Sequence, residues 1–127
     1  VAQVSVSHPE HFLKVLKEAE SYDGPSMVTA YCPCRDHTVD LGDMVDLCRE
    51  AVDSGYFPLY RYDPRLSQPF IMDSDIRQDV LPFLKKQGRY RILLSKAPET
   101  AKELFADMQQ EILRRNKMAK LWANPAG

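Results

Sequence analysis

Three side chains with metal-ligating chemistry fall together in Cys32-Pro33-Cys34-Arg35-Asp36-His37. Thiolates and imidazole suit zinc, copper or iron–sulfur clusters. The spacing is Cys-x-Cys-x-x-His rather than a paired Cys-x-x-Cys, and a closed tetrahedral site needs a fourth ligand. The remaining cysteine, Cys48, falls on a helical apolar stripe and reads as core. On spacing alone, buried or unreactive thiols outweigh a self-contained metal site, and both readings stay open. An odd total of 3 cysteines argues against a disulfide framework and for a reducing compartment, either cytoplasm or an organelle matrix.

The other candidates have plainer readings. His8 and His11 lie near a helix start and read as surface or capping residues. Arg61, Asp63 and Arg65, flanked by Tyr60 and Tyr62, read as a structural salt bridge rather than a substrate clamp. Arg114, Arg115, Lys117 and Lys120 read as a solvated basic face. There is no glycine-rich phosphate loop and no Gly-x-Ser-x-Gly, and no carboxylate pair stands out as acid and base. Residue types alone therefore assign no catalytic residue, and none that binds an organic cofactor.

These side chains must be positioned by a small α/β framework. Val1 to Val6 alternates, with Ala2, Val4 and Val6 on one face, and predicts a strand. Ser7-x-x-Glu10 has capping-box spacing, Pro9 suits a first helical turn, and Phe12, Leu13, Val15, Leu16 and Ala19 give an apolar face. Asp23-Gly24-Pro25 breaks that helix. Ser26 to Tyr31 then reads as a buried parallel strand, completing a βαβ unit with the Cys32–His37 loop at its carboxyl end. Asp40 or Asp43 is placed to cap a second helix with Leu41, Met44, Val45, Cys48, Ala51 and Val52 as its stripe and Gly55 at its C′ position. Tyr56 to Tyr62 predicts an extended segment and Pro64 to Pro69 a loop. A short helix is expected around Asp75 to Lys86, divided at Pro82 and ended by Gly88. A long helix follows from about Pro98 to Trp122, with Ala101, Leu104, Phe105, Met108, Ile112, Ala119 and Trp122 at helical spacing; Asn124 to Gly127 ends it.

The chain has 127 residues, 44% hydrophobic and 28% charged, with a net charge of −1. That fits one packed domain and gives no basic stripe for nucleic acid. No apolar run approaches the ~18 residues of a membrane span. Val1 opens inside an apolar alternation without a charged leader, which suggests a chain cut from something longer.

Several runs are specific enough to compare with known families. They are Phe12-Leu13-Lys14-Val15-Leu16-Lys17-Glu18-Ala19-Glu20 with Gly24-Pro25-Ser26, Ala30-Tyr31-x-x-Cys34 with His37, and Ser54-Gly55-Tyr56-Phe57-Pro58-Leu59-Tyr60-Arg61-Tyr62-Asp63-Pro64-Arg65-Leu66. Pro69-Phe70, Asp73-Ser74, Phe83-Leu84 and Arg89-Tyr90 continue them in order. This pattern resembles the pyruvate:ferredoxin (flavodoxin) oxidoreductases, and the resemblance runs from residue 1 to about residue 122.

The resemblance implies an α/β fold. It would be part of a parallel-sheet thiamine-diphosphate-binding domain with a C-terminal helical extension. Residues 1–66 would complete that domain and residues 67–127 would form the extension. It implies oxidative decarboxylation of pyruvate with coenzyme A to acetyl-CoA and CO2, with electrons leaving through iron–sulfur clusters. Cys34 would be the fourth ligand of a 4Fe-4S cluster whose other ligands lie outside these residues, as would the main contacts to thiamine diphosphate and Mg2+. The remainder of the oxidoreductase chain, a homodimer partner, and ferredoxin, flavodoxin or a fused flavin domain as acceptor would complete the system. The loop departs from the family pattern in carrying Thr38 where members often have Gly, and in being about two residues shorter than in some bacterial members. A structural or interaction protein that kept the fold without catalysis, or a relative acting on sulfite or another oxoacid, are the other readings.

Overall fold

The computed structural model describes residues 1–34 and 39–124. His37 and Thr38, and the chain end expected to close the last helix after Asn124, lie outside the described residues.

The chain runs β1 (Ala2–Ser5), α1 (Pro9–Glu20), β2 (Val28–Tyr31), a 3-10 turn (Leu41–Asp43), α2 (Met44–Asp53), β3 (Tyr60–Tyr62), β4 (Phe70–Met72), α3 (Val80–Lys85), α4 (Gly88–Lys96) and α5 (Pro98–Ala123). The α/β class expected from the strand–helix–strand order is the one observed. The sheet order is β2-β1-β3-β4. β1 and β2 are parallel, from Ala2 opposite Val28 to Ser5 opposite Tyr31, with α1 as the connection that a parallel pair requires. The sheet then turns mixed, because β3 is antiparallel to both β1 and β4. The short 63–69 loop brings β4 back beside β3 as a hairpin, so Tyr60 faces Met72 and Tyr62 faces Phe70. β4 escapes the sequence reading because Phe70-Ile71-Met72 is short, follows Pro69 and does not alternate in polarity.

Local chemistry explains most boundaries. Asp40 accepts a hydrogen bond from the Gly42 N–H at 2.8 Å and so caps the turn that leads into α2. Gly55 ends that helix at φ +72°, where a Cβ would lie 2.7 Å from Ile76 Cγ1. Both the left-handed backbone and the close approach demand glycine there. Pro82 is tolerated in the first turn of α3, where its missing N–H has no helical partner to lose. α5 contributes the Gln109 side-chain oxygen to the Val80 N–H at 2.8 Å, so one helix caps another.

Three expectations need correction. The capping box before α1 does not form: His8 is the N-cap residue, without a side-chain cap. The Ser7 hydroxyl instead bonds Ser5 Oγ at 2.8 Å and His8 Nδ1 at 3.0 Å. Gly88 does not end a helix but opens α4, an element whose polarity pattern is weak. On α2 the buried stripe is Leu47, Cys48, Ala51 and Val52, while Leu41 and Val45 are exposed.

Two cores hold these elements. The larger joins Leu47 and Ala51 of α2, Val80, Phe83 and Leu84 of α3, and Ala101, Phe105 and Ile112 of α5. The smaller is Ala2, Val4 and Val15, with Phe12 and Val28 against it.

Candidate functional site

The loop with the ligating side chains leaves the carboxyl end of β2, the place where open α/β sheets present their chemistry. The last residue of β2, Tyr31, fixes its root. Its ring lies 5.2 Å from Phe57 and meets Tyr56 edge-on at 6.4 Å, and Tyr56 in turn lies 5.0 Å from Phe83. This aromatic group ties the strand end to α3 and to the start of the β3 segment. Burial raises the Tyr31 phenol well above its ordinary range, and burial together with a hydrogen bond to Tyr90 pushes Tyr56 up to about 12. Both phenols stay protonated at any physiological pH, and their ring contacts make them anchors of the loop root.

Beyond that anchor the three cysteines part company. Cys32 and Cys34 are exposed and Cys48 is fully buried. Burial pushes the Cys48 thiol up, and a hydrogen bond with Ser5 of β1 only partly offsets this. A thiol held protonated in a core is a poor ligand and a poor nucleophile, which agrees with the sequence reading of Cys48. Cys32 points its Sγ toward the neighbouring Pro33 carbonyl at 3.6 Å. Cys34 carries no such contact among the described residues and stands at the strand end. Both exposed thiols are placed to be offered outward to a metal centre. Among the described residues, which leave out Asp36 and His37, no group of three or more His, Cys, Asp or Glu side chains could hold a metal ion.

A second polar constellation was legible only in part. Arg61 forks onto Asp73 with two hydrogen bonds of 2.8 Å and reaches both oxygens of Glu18 at 2.8 and 2.9 Å. His11 joins through Nε2 to Asp73 Oδ2 at 3.0 Å. The expected structural role of Arg61 is therefore observed, and its partners come from α1 and the end of β4. His11, expected at the surface or in a cap, is instead part of this network, and its Nδ1 is buried without a partner among the described residues. Sequence could not show this, since 62 residues separate His11 from Asp73. Burial alone would push the Asp73 carboxyl up, but the hydrogen bonds from Arg61 and His11 win and hold it below the usual carboxylate range. Arg65 closes on Asp63 at 2.7 Å and on the Ser21 carbonyl at 3.0 Å, fastening the β3–β4 loop to the end of α1. Apart from His11 Nδ1, these charged groups pair with one another, as a structural tie between α1 and the β3–β4 hairpin.

No family model matches the chain. Curated relatives do. Over 94% of its length the chain is 39% identical to a pyruvate:ferredoxin oxidoreductase of Moorella thermoacetica. It is 38% identical over 98% to a mitochondrial pyruvate dehydrogenase [NADP(+)] of Euglena gracilis, and 36% identical over 91% to a probable pyruvate-flavodoxin oxidoreductase of Escherichia coli. The chain spans only 11%, 7% and 10% of the length of these three proteins.

Proposed function

Because the chain belongs to the pyruvate:ferredoxin and pyruvate-flavodoxin oxidoreductase family, we propose that it is the C-terminal segment of an enzyme that oxidatively decarboxylates pyruvate with coenzyme A. The products are acetyl-CoA, CO2 and two low-potential electrons that leave through iron–sulfur clusters. The observation that carries this reading to a residue is the exposed thiol of Cys34 at the carboxyl end of β2.

Residues 1–66 complete the thiamine-diphosphate domain in this proposal, and residues 67–127 extend it. Thiamine diphosphate with Mg2+, bound mainly by other parts of the protein, supplies the carbon chemistry. The part played by this chain is to hold Cys34. A 4Fe-4S cluster needs four thiolates, and one drawn from a distant stretch closes the fold around it. Tyr31 fixes the loop root against Phe57 and Tyr56, while Cys48 stays in the core. Exposed thiols and a cluster ligand both fit a reducing compartment, cytoplasm or an organelle matrix. No helix among the described residues is long and apolar enough to cross a membrane. The acceptor is a ferredoxin, a flavodoxin or a fused flavin domain, and the assembly is a homodimer.

The test replaces Cys32, Cys34 and Cys48 singly by Ser in the intact protein. Iron, acid-labile sulfide and the electron paramagnetic resonance of the reduced protein are then measured. Cys34→Ser should lose one cluster with its signal, and the other two variants should keep the full complement. A full complement in Cys34→Ser would remove the assignment. Intact wild-type protein that carries clusters but forms no acetyl-CoA from pyruvate would favour a structural role for the fold.

A further inference from the structure

Cys32 has no part in the function proposed above, yet it is the second exposed thiol of the same short run. Cys32 and Cys34 are exposed, while Pro33 between them is half-buried. An extended segment gives that alternation, with residues i and i+2 on one face. At a strand-like rise of about 3.2–3.4 Å per residue, two steps place the Cα atoms about 6.4–6.8 Å apart. Disulfides form over Cα separations of about 4.4–6.8 Å, so the pair lies within reach, at the strained end. The Cys32 side chain leans toward its neighbour. Its Sγ lies 3.6 Å from the Pro33 carbonyl oxygen, and that oxygen is on the same side of its trans peptide as Cys34 Cα.

The third thiol does not compete. Cys48 is fully buried and its side chain hydrogen-bonds with Ser5 of β1. A thiol without exposed surface meets an oxidant only when the core around it opens.

We propose that Cys32 is a resolving thiol for Cys34: once no cluster holds Cys34, its oxidised sulfur closes onto Cys32 as a disulfide. The disulfide needs only the two exposed thiols. Its purpose, to keep a cluster ligand recoverable, rests on Cys34 being that ligand. The oxidant is a peroxide. The Cys34 thiol and hydrogen peroxide give a Cys34 sulfenic acid and water. The Cys32 sulfur then attacks the sulfenic sulfur, its proton leaves with the hydroxyl as a second water, and the S–S bond forms. Two electrons in all pass from the two thiols to the peroxide. Without Cys32, the sulfenic acid stays open to more peroxide and goes on to the sulfinic acid, which thiols do not reduce. A strained, exposed disulfide is by contrast labile to reduction by other thiols.

The test uses the intact protein, stripped of clusters anaerobically with a reductant and an iron chelator and then exposed to hydrogen peroxide. Remaining thiols are alkylated and the protein is cut with trypsin. Cys32 and Cys34 fall on the peptide of residues 18–35 and Cys48 on that of residues 36–49, so mass spectrometry tells the pairs apart. In the wild type, peptide 18–35 should be unalkylated and lighter by two hydrogens, and dithiothreitol should restore it. In Cys32→Ser, Cys34 should carry added oxygens that dithiothreitol does not remove. With iron and sulfide added after dithiothreitol, the wild type should regain the paramagnetic signal that Cys32→Ser loses. Two free thiols in the wild type, equal over-oxidation of Cys34 with and without Cys32, or a disulfide from Cys34 to Cys48 or to a cysteine elsewhere in the protein would each overturn the proposal. The peptide map is read with no cluster present, so its failure is distinct from that of Cys34 as a ligand, which the cluster count of Cys34→Ser decides.

Discussion

Around α2, α3 and α5 the molecule buries Leu47, Ala51, Phe83, Leu84, Phe105 and Ile112, with Tyr31, Tyr56 and Phe57 packed against them. Around β1, α1 and β2 the buried hydrophobic residues are Ala2, Val4 and Val15, while Leu13, Leu16 and Met27 face outward. Yet β2 is the strand whose sequence reads most plainly as buried on both faces, and it sits at the sheet edge with Thr29 and Ala30 exposed. An unpaired apolar edge strand is a surface that native proteins normally cover. The first region has a closed core in this chain, although Ile92, Leu104, Leu113, Leu121 and Trp122 on its outer helices are exposed. The second has the composition of an interior with the exposure of a surface, as expected of the seam along which a segment joins a larger domain.

The largest expected effect lies in the region with the closed core. Phe83 is wholly buried and touches Tyr31 and Tyr56. Phe83→Ala should cost about 3–5 kcal/mol in denaturant unfolding. Leu16→Ala, on the outward face of α1, should cost less than about 1 kcal/mol in the 127-residue chain. A much larger cost of Leu16→Ala in the intact protein would show that the α1 face is covered there. Equal costs already in the isolated chain would break the contrast between the two regions.

Next comes the network that fastens α1 to the β3–β4 hairpin. Asp73 is nearly buried and its carboxyl is depressed, so the sign of its pH effect is fixed. It contributes stability above the ordinary aspartate range near pH 4, and that stability is lost as pH falls through the depressed folded value. Asp73→Asn should cost about 1.5–3 kcal/mol at neutral pH, the range for a hydrogen bond to a charged group. It should also flatten the acid limb of the stability profile below about pH 4. An acid limb unchanged in Asp73→Asn would mean that another carboxylate governs acid unfolding.

The fate of these elements shows what a sequence can and cannot disclose. The β1–α1–β2 unit, a cap at Asp40 or Asp43, the glycine at position 55 and the extent of α5 depend on neighbours within a few residues, and all were legible. So was the burial of Cys48, from its place on a helical stripe. The Arg61–Asp73–His11 network, the Gln109 cap on α3 and the β4 pairing depend on residues far apart in the chain, and no local pattern marks them. Periodicity shows that a face is apolar without showing what meets it, which is why Leu13 and Leu16 were placed with Val15 although only Val15 is buried. For the candidate site, the motif around Cys34 was readable as a resemblance, while the anchor of Tyr31 on Phe57 and Tyr56 exists only once the strand end and the segment before β3 have met.

Smaller in energy, but more direct as a probe of the seam, is amide exchange along β2. Edge amides that lack a strand partner open at low cost. In the 127-residue chain the β2 amides should exchange faster than those of β1, which has neighbours on both sides. In the intact protein the two strands should be protected alike if a further strand pairs with β2. Fast exchange of β2 in the intact protein would make it a true edge and weaken its proposed place inside a larger sheet.

The smallest effects, those at Leu104 and Lys102, test the register of α5 when they are set against Phe105. Sequence spacing put Leu104 on the apolar stripe beside Phe105, but the helix turns it outward, and it is 49% exposed against 5% for Phe105. The two residues are adjacent in sequence and about 100° apart around a helix of 3.6 residues per turn, so only one of them can face Tyr90, whose ring meets Phe105 edge-on at 5.8 Å. Phe105→Ala should therefore lower stability by about 3–5 kcal/mol. Leu104→Ala should change it by less than about 1 kcal/mol, and Lys102→Ala, which loses only an exposed pair with Glu99, by a few tenths, about 0.2–0.5 kcal/mol. Thermal unfolding of the three variants orders them directly. If Leu104→Ala destabilised the intact protein as much as Phe105→Ala, a second surface would have to press on the outer side of α5, and the contrast between a closed region and an open one would shift from α1 and β2 to the C-terminal helix.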